Sequence, residues 1–298
     1  MRLAVTGKSG QVVTALIERG AAMGVEIVPV GRPELDLLSL ATIGPALEAS
    51  RPDAIISAAA HTAVDKAESE PELAFAINGD AAGEIARTAA RLGVPLIHLS
   101  TDYVFDGGKS VPYGEDDATG PLGVYGKSKL AGEVAVRAAG ANHAILRTAW
   151  VYSPFGNNFL KTMLRLAETR PALRVVADQR GAPTSALDIA DAVIAVAQAL
   201  IAAPERADLR GTFHLTGSGE ASWAEFAAEI FRVSAALGGP AATVEPIPGS
   251  EYPTPAPRPA NSRLSTQKLA SAYGIVLPEW RVSTEAVVGR VLAATRAS

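Results

Sequence analysis

A chain of 298 residues, 48% of them hydrophobic, is long enough to bury one large α/β domain, or a large domain with a smaller appendage, and too apolar to be disordered. A net charge of -4 with both signs interspersed leaves no basic footprint for nucleic acid and no polybasic membrane patch, so the expected partner is a small soluble molecule. With no cysteine there are neither disulfides nor thiolate metal sites, and the first apolar run, Met1 to Gly7, is too short for a signal peptide; the expectation is an unprocessed cytoplasmic protein.

Arg2 to Thr6 reads as a strand that stops at Gly7-Lys8-Ser9-Gly10-Gln11-Val12-Val13, and Val12, Leu16 and Met23 then mark a helix. Unpaired amides at such a helix start favour a pyrophosphate, which places Gly7, Ser9, Gly10, Gln11 and Val12 against a dinucleotide. A glycine pair is also compatible with an ordinary tight turn. Val13 replaces the third glycine of the usual fingerprint, so helix and strand are expected to pack less closely there. Val25 to Val30 is the next strand. Arg32 follows it where many NAD-binding folds carry an acid for the ribose diol, and a cation there suits a 2′-phosphate, hence NADPH. Glu34 leaves NADH open, and a solvated loop charge is the plainer reading of Arg32. Asp36, followed by Leu37, is placed to accept from the adenine amino group.

A helix near Ile43 to Ala49 precedes a strand from Ala54 to Ser57, which runs into Ala58-Ala59-Ala60-His61-Thr62. The small residues Ala58, Ala59 and Ala60, with Thr62, leave room for a cofactor against the backbone; core packing accounts for three alanines equally well. A helix from Pro71 to about Leu92 keeps one apolar face, and Val94 to Leu99 forms a fourth strand that delivers Ser100 and Thr101 at its carboxyl end, where open parallel sheets bind ligands. Residues 107–122, rich in Gly, Pro and Asp, form a loop over that edge.

Tyr125 and Lys129 stand one turn apart if 125–137 is helical. A free phenol has a pKa near ~10, so a nearby fixed cation that favours the phenolate would make it a usable acid at neutral pH. The Thr101 hydroxyl can bond the same substrate oxygen. Such a Tyr/Lys pair also occurs on many solvated helices. A strand from His143 to Thr148 comes next, and the alternation of strand and helix throughout predicts a doubly wound parallel sheet.

Beyond 153 the texture changes. Asn157-Asn158-Phe159 opens an amphipathic helix, Leu173 to Ala177 is a short strand, and Gly181 to Ser185 caps a long helix to Ala203. A strand at Thr212 to Leu215 and a helix from Ser222 follow. Residues 239–261 hold seven prolines and read as a covering loop, because the helices Leu264 to Tyr273 and Val282 to Leu292 come after it. The expected division is 1–152 with returning segments from about 185–215, and 153–298 as mainly a smaller lobe. His61, His98, His143 and His214 lie far apart, without metal-ligand spacing.

The motifs GKSGQV, HTAVDKAE, STDYVFDG, YGKSKLAGE, LRTAWVYSPFGNNF, DQRGAPTSA and PRPANSRL, in this order, resemble the dTDP-4-dehydrorhamnose reductases of the extended short-chain dehydrogenase/reductase family. The similarity runs from residue 1 to about 290. It implies a Rossmann domain with a sugar-nucleotide lobe, and reduction of dTDP-6-deoxy-L-lyxo-4-hexulose to dTDP-L-rhamnose by NADPH or NADH. By position, Tyr125 is implied as proton donor, Lys129 as the tuning cation that also holds the nicotinamide ribose, and Thr101 as hydrogen bonder at the C4 oxygen. Asp102, Tyr103, Trp150 and Asn157 are implied at the sugar pocket and Arg258 at the nucleotide end. Some members form dimers around magnesium held by glutamates; Ala15 and Leu187 stand at those positions here, so no metal is expected, and a monomer or another homodimer is. Another NDP-4-keto-6-deoxysugar reductase, an epimerase, and a non-catalytic NADP-binding regulatory subunit of methionine adenosyltransferase are the alternative readings. A dehydratase fits less well, because position 103 is Tyr where that chemistry uses a carboxylate.

Overall fold

Four stretches of the chain, at 2–6, 54–57, 96–101 and 143–148, are mostly apolar or β-branched, the composition of strands covered on both faces. In the computed structural model, which describes residues 1–297, they form the middle of a parallel sheet. The first half runs β1 (Arg2–Thr6), α1 (Gln11–Ala22), β2 (Glu26–Val30), α2 (Leu40–Ala49), β3 (Ala54–Ser57), a single turn α3 (Val64–Ala67), α4 (Pro71–Phe75), a π-helical turn (Ala76–Asp80), α5 (Ala81–Leu92), β4 (Leu96–Thr101), α6 (Val124–Ala139) and β5 (His143–Thr148). The second runs β6 (Val151–Tyr152), α7 (Phe159–Ala167), β7 (Ala172–Val176), β8 (Arg180–Gly181), β9 (Thr184–Ser185), α8 (Ala186–Ala202), β10 (Gly211–His214), β11 (Ala221–Ser222), α9 (Trp223–Ala236), β12 (Thr243–Ile247), α10 (Gln267–Tyr273) and α11 (Trp280–Ala297).

The main sheet has the order β10-β5-β4-β3-β1-β2, all pairs parallel. From β1 the chain steps outward to β2, then crosses back to begin β3 on the other side, so the switch point lies between β1 and β3. A crevice opens there at the carboxyl ends of the strands. Successive residues serve opposite faces, as the strand period of two requires: Leu3, Val5 and Ile56 join Leu16, Val193 and Phe213 on the face covered by α1 and α8, whereas Ala4 and Ile55 join Ile43, Leu47 and Ile85 under α2 and α5. β2 lies at the edge, where Pro29 is tolerated because a missing N–H there breaks no interior ladder. This is the doubly wound α/β architecture anticipated from the alternation.

A second core gathers Tyr152, Leu160, Met163, Leu173, Phe226, Ile230, Trp280 and Val288 from β6, α7, β7, α9 and α11. Leu187, near the start of α8, packs against both cores.

Several boundaries differ from the sequence expectation. The proline-rich stretch contains β12, which pairs in parallel with β7; Pro246 sits opposite Val175 in a two-stranded sheet, where each strand has a free edge to spare. Leu264 is not helical, and α10 begins only at Gln267; Leu264 instead bridges to Tyr113 and packs with Phe105 and Tyr113. The helix from Pro71 is interrupted by the π-turn around Asn78. β4 extends through Ser100 and Thr101, which pair with Arg147 and Thr148 of β5. Among the described residues no helix is long and apolar enough to cross a membrane.

Candidate active site

The first wall of the crevice is the β1–α1 turn. Gly7 (φ +98°) and Gly10 (φ +123°) adopt a conformation that side chains rarely take, and a Cβ on Gly10 would point into open space. Gly10 is the N-cap of α1 and offers no side-chain cap, so the amides of the first turn face outward unclaimed by a side chain. Such a lip fits a pyrophosphate. Val13, in the third glycine position, is buried in the core against the turn. Thr6 Oγ1 accepts the Ala58 and Ala59 amides, each at 3.0 Å, and so joins the alanine stretch after β3 to the end of β1.

The remaining predicted cofactor residues line up less uniformly. Arg32 and Thr62 are exposed and Ala60 is half-buried. Lys8 Nζ bonds Glu34 Oε2 at 2.5 Å, tying the glycine turn to the loop after β2. Asp36 Oδ1 accepts the Leu38 amide at 3.1 Å, Leu37 packs on the α2 side of the core, and Gln11 Oε1 is held by Ser153 Oγ (2.8 Å) and Asn158 Nδ2 (3.0 Å). Gln11 therefore spends its side-chain oxygen on the segment after β6.

The second wall is the end of β4 with the first turns of α6. Gly126 and Gly132 let α6 lie directly on backbone: a Cβ at 126 would stand 2.2 Å from the Tyr103 carbonyl oxygen, and one at 132 would stand 2.1 Å from that of Asn78. This brings Tyr125 beside Thr101. Burial pushes the Tyr125 hydroxyl above the usual phenol range; a hydrogen bond with Thr101 opposes this, while Asp102 and Tyr103 add to it. Thr101 Oγ1 also donates to Asp102 Oδ1 (3.0 Å) and accepts the Tyr103 amide (3.2 Å). Asp102 is itself buried, which pushes its carboxyl up to about 6.

Lys129 departs from expectation. Its ammonium donates to the Leu99 carbonyl at 2.7 Å, and no hydrogen bond joins it to the phenol. Burial pulls it down to about 8, and Glu133, one turn further along α6, works against that. Glu133 is fully buried and accepts from Ser100 Oγ (2.6 Å), Arg147 Nε (2.8 Å) and Nη2 (2.7 Å), and Arg137 Nη1 (3.2 Å). The charge pair thus anchors α6 to β4 and β5 beneath the reactive edge.

Residues 1–293 match the family model described as RmlD substrate binding domain. A dTDP-4-dehydrorhamnose reductase of Sinorhizobium fredii is 56% identical over 98% of both chains. The chain belongs to the dTDP-4-dehydrorhamnose reductase family. The crystal structure of a dTDP-4-dehydrorhamnose reductase from Clostridium acetobutylicum superposes with a TM-score of 0.89 at 36% identity, covering 98% of this chain and 100% of that one. One from Bacillus anthracis, in complex with NADP, gives 0.88 at 34% identity, covering 96% and 98%.

In this reductase-family chain a cavity of about 920 Å³ adjoins the second wall. Tyr103 and Arg258 line it, as does a set no sequence motif announced: Phe159, Trp223, Arg174 and Tyr252. These come from α7, α9, β7 and the segment after β12, elements made neighbours only by the second core. Trp150 does not reach the cavity; it lies against Gly181 and stacks on Trp223, centroids 3.6 Å apart at 11°, in a positive-φ conformation (+47°). Thr101 and Asp102 stay buried behind Tyr103, and Asn157 is exposed on the turn before α7, where its neighbour Asn158 caps the helix through the Lys161 amide (3.1 Å). Ala15 is buried and Leu187 is core-facing, and among the described residues no cluster of three or more His, Asp or Glu side chains could hold a metal ion.

Proposed function

We propose that this chain reduces the C4 keto group of dTDP-4-dehydrorhamnose to dTDP-L-rhamnose, with NADPH as reductant. One observation carries the reading: the packing of Gly126 under the Tyr103 carbonyl sets Tyr125 against the carboxyl edge of a parallel sheet, where β4 ends in Thr101, beside a glycine lip suited to a dinucleotide. When bound, NADPH supplies the hydride.

The chain's residues then do the rest. Amides at Gly7 to Val12 hold the pyrophosphate, and Arg32 meets the 2′-phosphate. Tyr125 gives its proton to the C4 oxygen, and Thr101 donates a hydrogen bond to the same atom; to do so it turns its proton from Asp102. Preorganised donors of this kind typically contribute ~10²- to 10³-fold each in rate. Lys129 holds the nicotinamide ribose, and its charge favours the phenolate left after transfer. The cavity next to Tyr103 takes the nucleotide, with Trp223, Phe159 and Tyr252 for the planar base and Arg174 and Arg258 for the diphosphate. Residues 153–298 are in this view mainly the sugar-nucleotide lobe.

The test is a coupled assay with dTDP-4-dehydrorhamnose, following loss of NADPH and NADH absorbance separately. Stoichiometric oxidation of NADPH with formation of dTDP-L-rhamnose is expected. Turnover of the sugar without net NADPH consumption would instead identify an epimerase and overturn the proposal.

A further inference from the structure

α6 begins at Val124 with a glycine, Gly123, as its N-cap, so no local side chain satisfies its first amides. The acceptor comes from elsewhere. Glu68, the C-cap residue just after α3, places Oε1 2.8 Å from the Val124 amide, and a Cβ on Gly123 would stand 2.5 Å from that oxygen. A carboxylate at this point satisfies an orphan N–H and complements the positive end of the helix dipole, one residue before Tyr125.

The same turn grips the opposite side of the site. Asp65 Oδ1 accepts the Ala256 amide at 3.2 Å, and Asp65 Oδ2 accepts Arg258 Nη2 at 2.8 Å. Arg258 Nη1 reaches the Tyr103 hydroxyl (3.3 Å), and the Tyr103 ring meets the Tyr125 ring edge-on, centroids 5.5 Å apart. Arg258, Thr254 and Tyr103 line the cavity, whereas no residue of 64–68 does. Two carboxylates of one short turn therefore hold the cavity rim and the start of the helix that carries the proton donor, without touching the space where substrate goes.

We propose that Asp65 and Glu68 are positioning residues that make 64–68 a strut between the nucleotide end of the cavity and Tyr125, so that seating the nucleotide against Arg258 steadies the first turn of α6. This rests on the reductase reading for its kinetic consequence. The physical coupling is independent of it.

Amide hydrogen exchange on the full chain, with dTDP as the probe, separates the two. In the wild type, dTDP is expected to slow exchange both at the rim (252–258) and in the first turn of α6 (124–127). In Asp65→Ala the protection should stay at the rim and vanish from α6. Without any ligand, Glu68→Ala should speed exchange at 124–127. In steady state Glu68→Ala should lose about tenfold in kcat through misplacement of Tyr125, at a nearly unchanged KM for the nucleotide sugar. Glu68→Gln, which keeps an acceptor oxygen, should recover most of that loss. Full dTDP protection of α6 in Asp65→Ala, or unaltered exchange at 124–127 in Glu68→Ala, overturns the strut. A wild type that binds dTDP but leaves NADPH untouched overturns the reductase reading while leaving the exchange result to decide the strut on its own.

Discussion

Gly126 lies so close under the Tyr103 carbonyl that a Cβ at 126 would come within 2.2 Å of its oxygen. The obstacle is backbone, which cannot rotate away as a side-chain tip can. Gly126→Ala should therefore push α6 off the end of β4, destabilising the fold by roughly 1–3 kcal/mol or more and separating Tyr125 from Thr101. Thermal unfolding and turnover should both drop; an alanine variant as active and as stable as wild type would show that the contact relaxes freely.

Removing the phenol oxygen leaves the ring in place. Tyr125→Phe is expected to bind NADPH almost normally, by fluorescence titration, while turnover falls at least ~10²-fold, the usual worth of positioned acid catalysis. Retention of more than about a tenth of the wild-type rate contradicts the assignment.

Lys129 places catalysis and stability in opposition. Burial holds its folded pKa at about 8, below the unfolded lysine value, so the cost of the buried ammonium is fully present below about pH 8 and is relieved as pH rises from there towards the ordinary lysine range. Lys129→Met should be inactive yet melt higher at pH 7, by roughly 2–6 °C, with the gap closing at pH 9.5. A methionine variant that melts below wild type at pH 7 rules this out.

His214 is buried, its Nδ1 facing the Ser265 carbonyl at 3.2 Å and its Nε2 without a partner; burial pulls it down to about 3. The folded value lies below the unfolded one, so its contribution is intact above about pH 6.5 and is lost as pH falls towards 3, because the unfolded chain takes up the proton first. Asp102, raised to about 6, works in the opposite sense. The expected result is a smaller fall in Tm between pH 7 and pH 5 for His214→Asn than for wild type; equal falls would refute it.

Arg32 distinguishes the two cofactors. Arg32→Ala should raise KM for NADPH about tenfold, the scale of one charge-assisted phosphate contact, and leave KM for NADH unchanged. No effect on either would make Arg32 a solvated loop charge, and an equal rise in both would rule out a contact specific to the 2′-phosphate.

The sheet was legible because β1, β3, β4 and β5 are short, mostly apolar runs bounded by glycine turns and helical periodicity, as burial on both faces favours. That Tyr125 and Lys129 share one helical turn, and that Thr101 ends a strand, was legible because local spacing sets each of these. What spacing could not supply was the carbonyl that Lys129 selects, since Leu99 lies on another element. The cavity was hidden for a related reason: Phe159, Trp223, Arg174 and Tyr252 are brought together only by tertiary packing. β12 was masked by its own prolines, and the two-residue strands β6, β8, β9 and β11 are too short to display any period. Trp150 carried a motif but stacks behind Trp223.

The last strand of the main sheet, β10, and the helix that seals one of its faces, α8, are encoded after α7 and β7 have already been read. A nascent chain leaving the ribosome thus exposes the greasy flank formed by Leu3, Val5, Leu16, Ile97 and Leu146 until residues 186–214 emerge to cover it. Premature termination anywhere before that point leaves a fragment fit for chaperones or proteases rather than a smaller working enzyme, and the two halves of the molecule must be finished together.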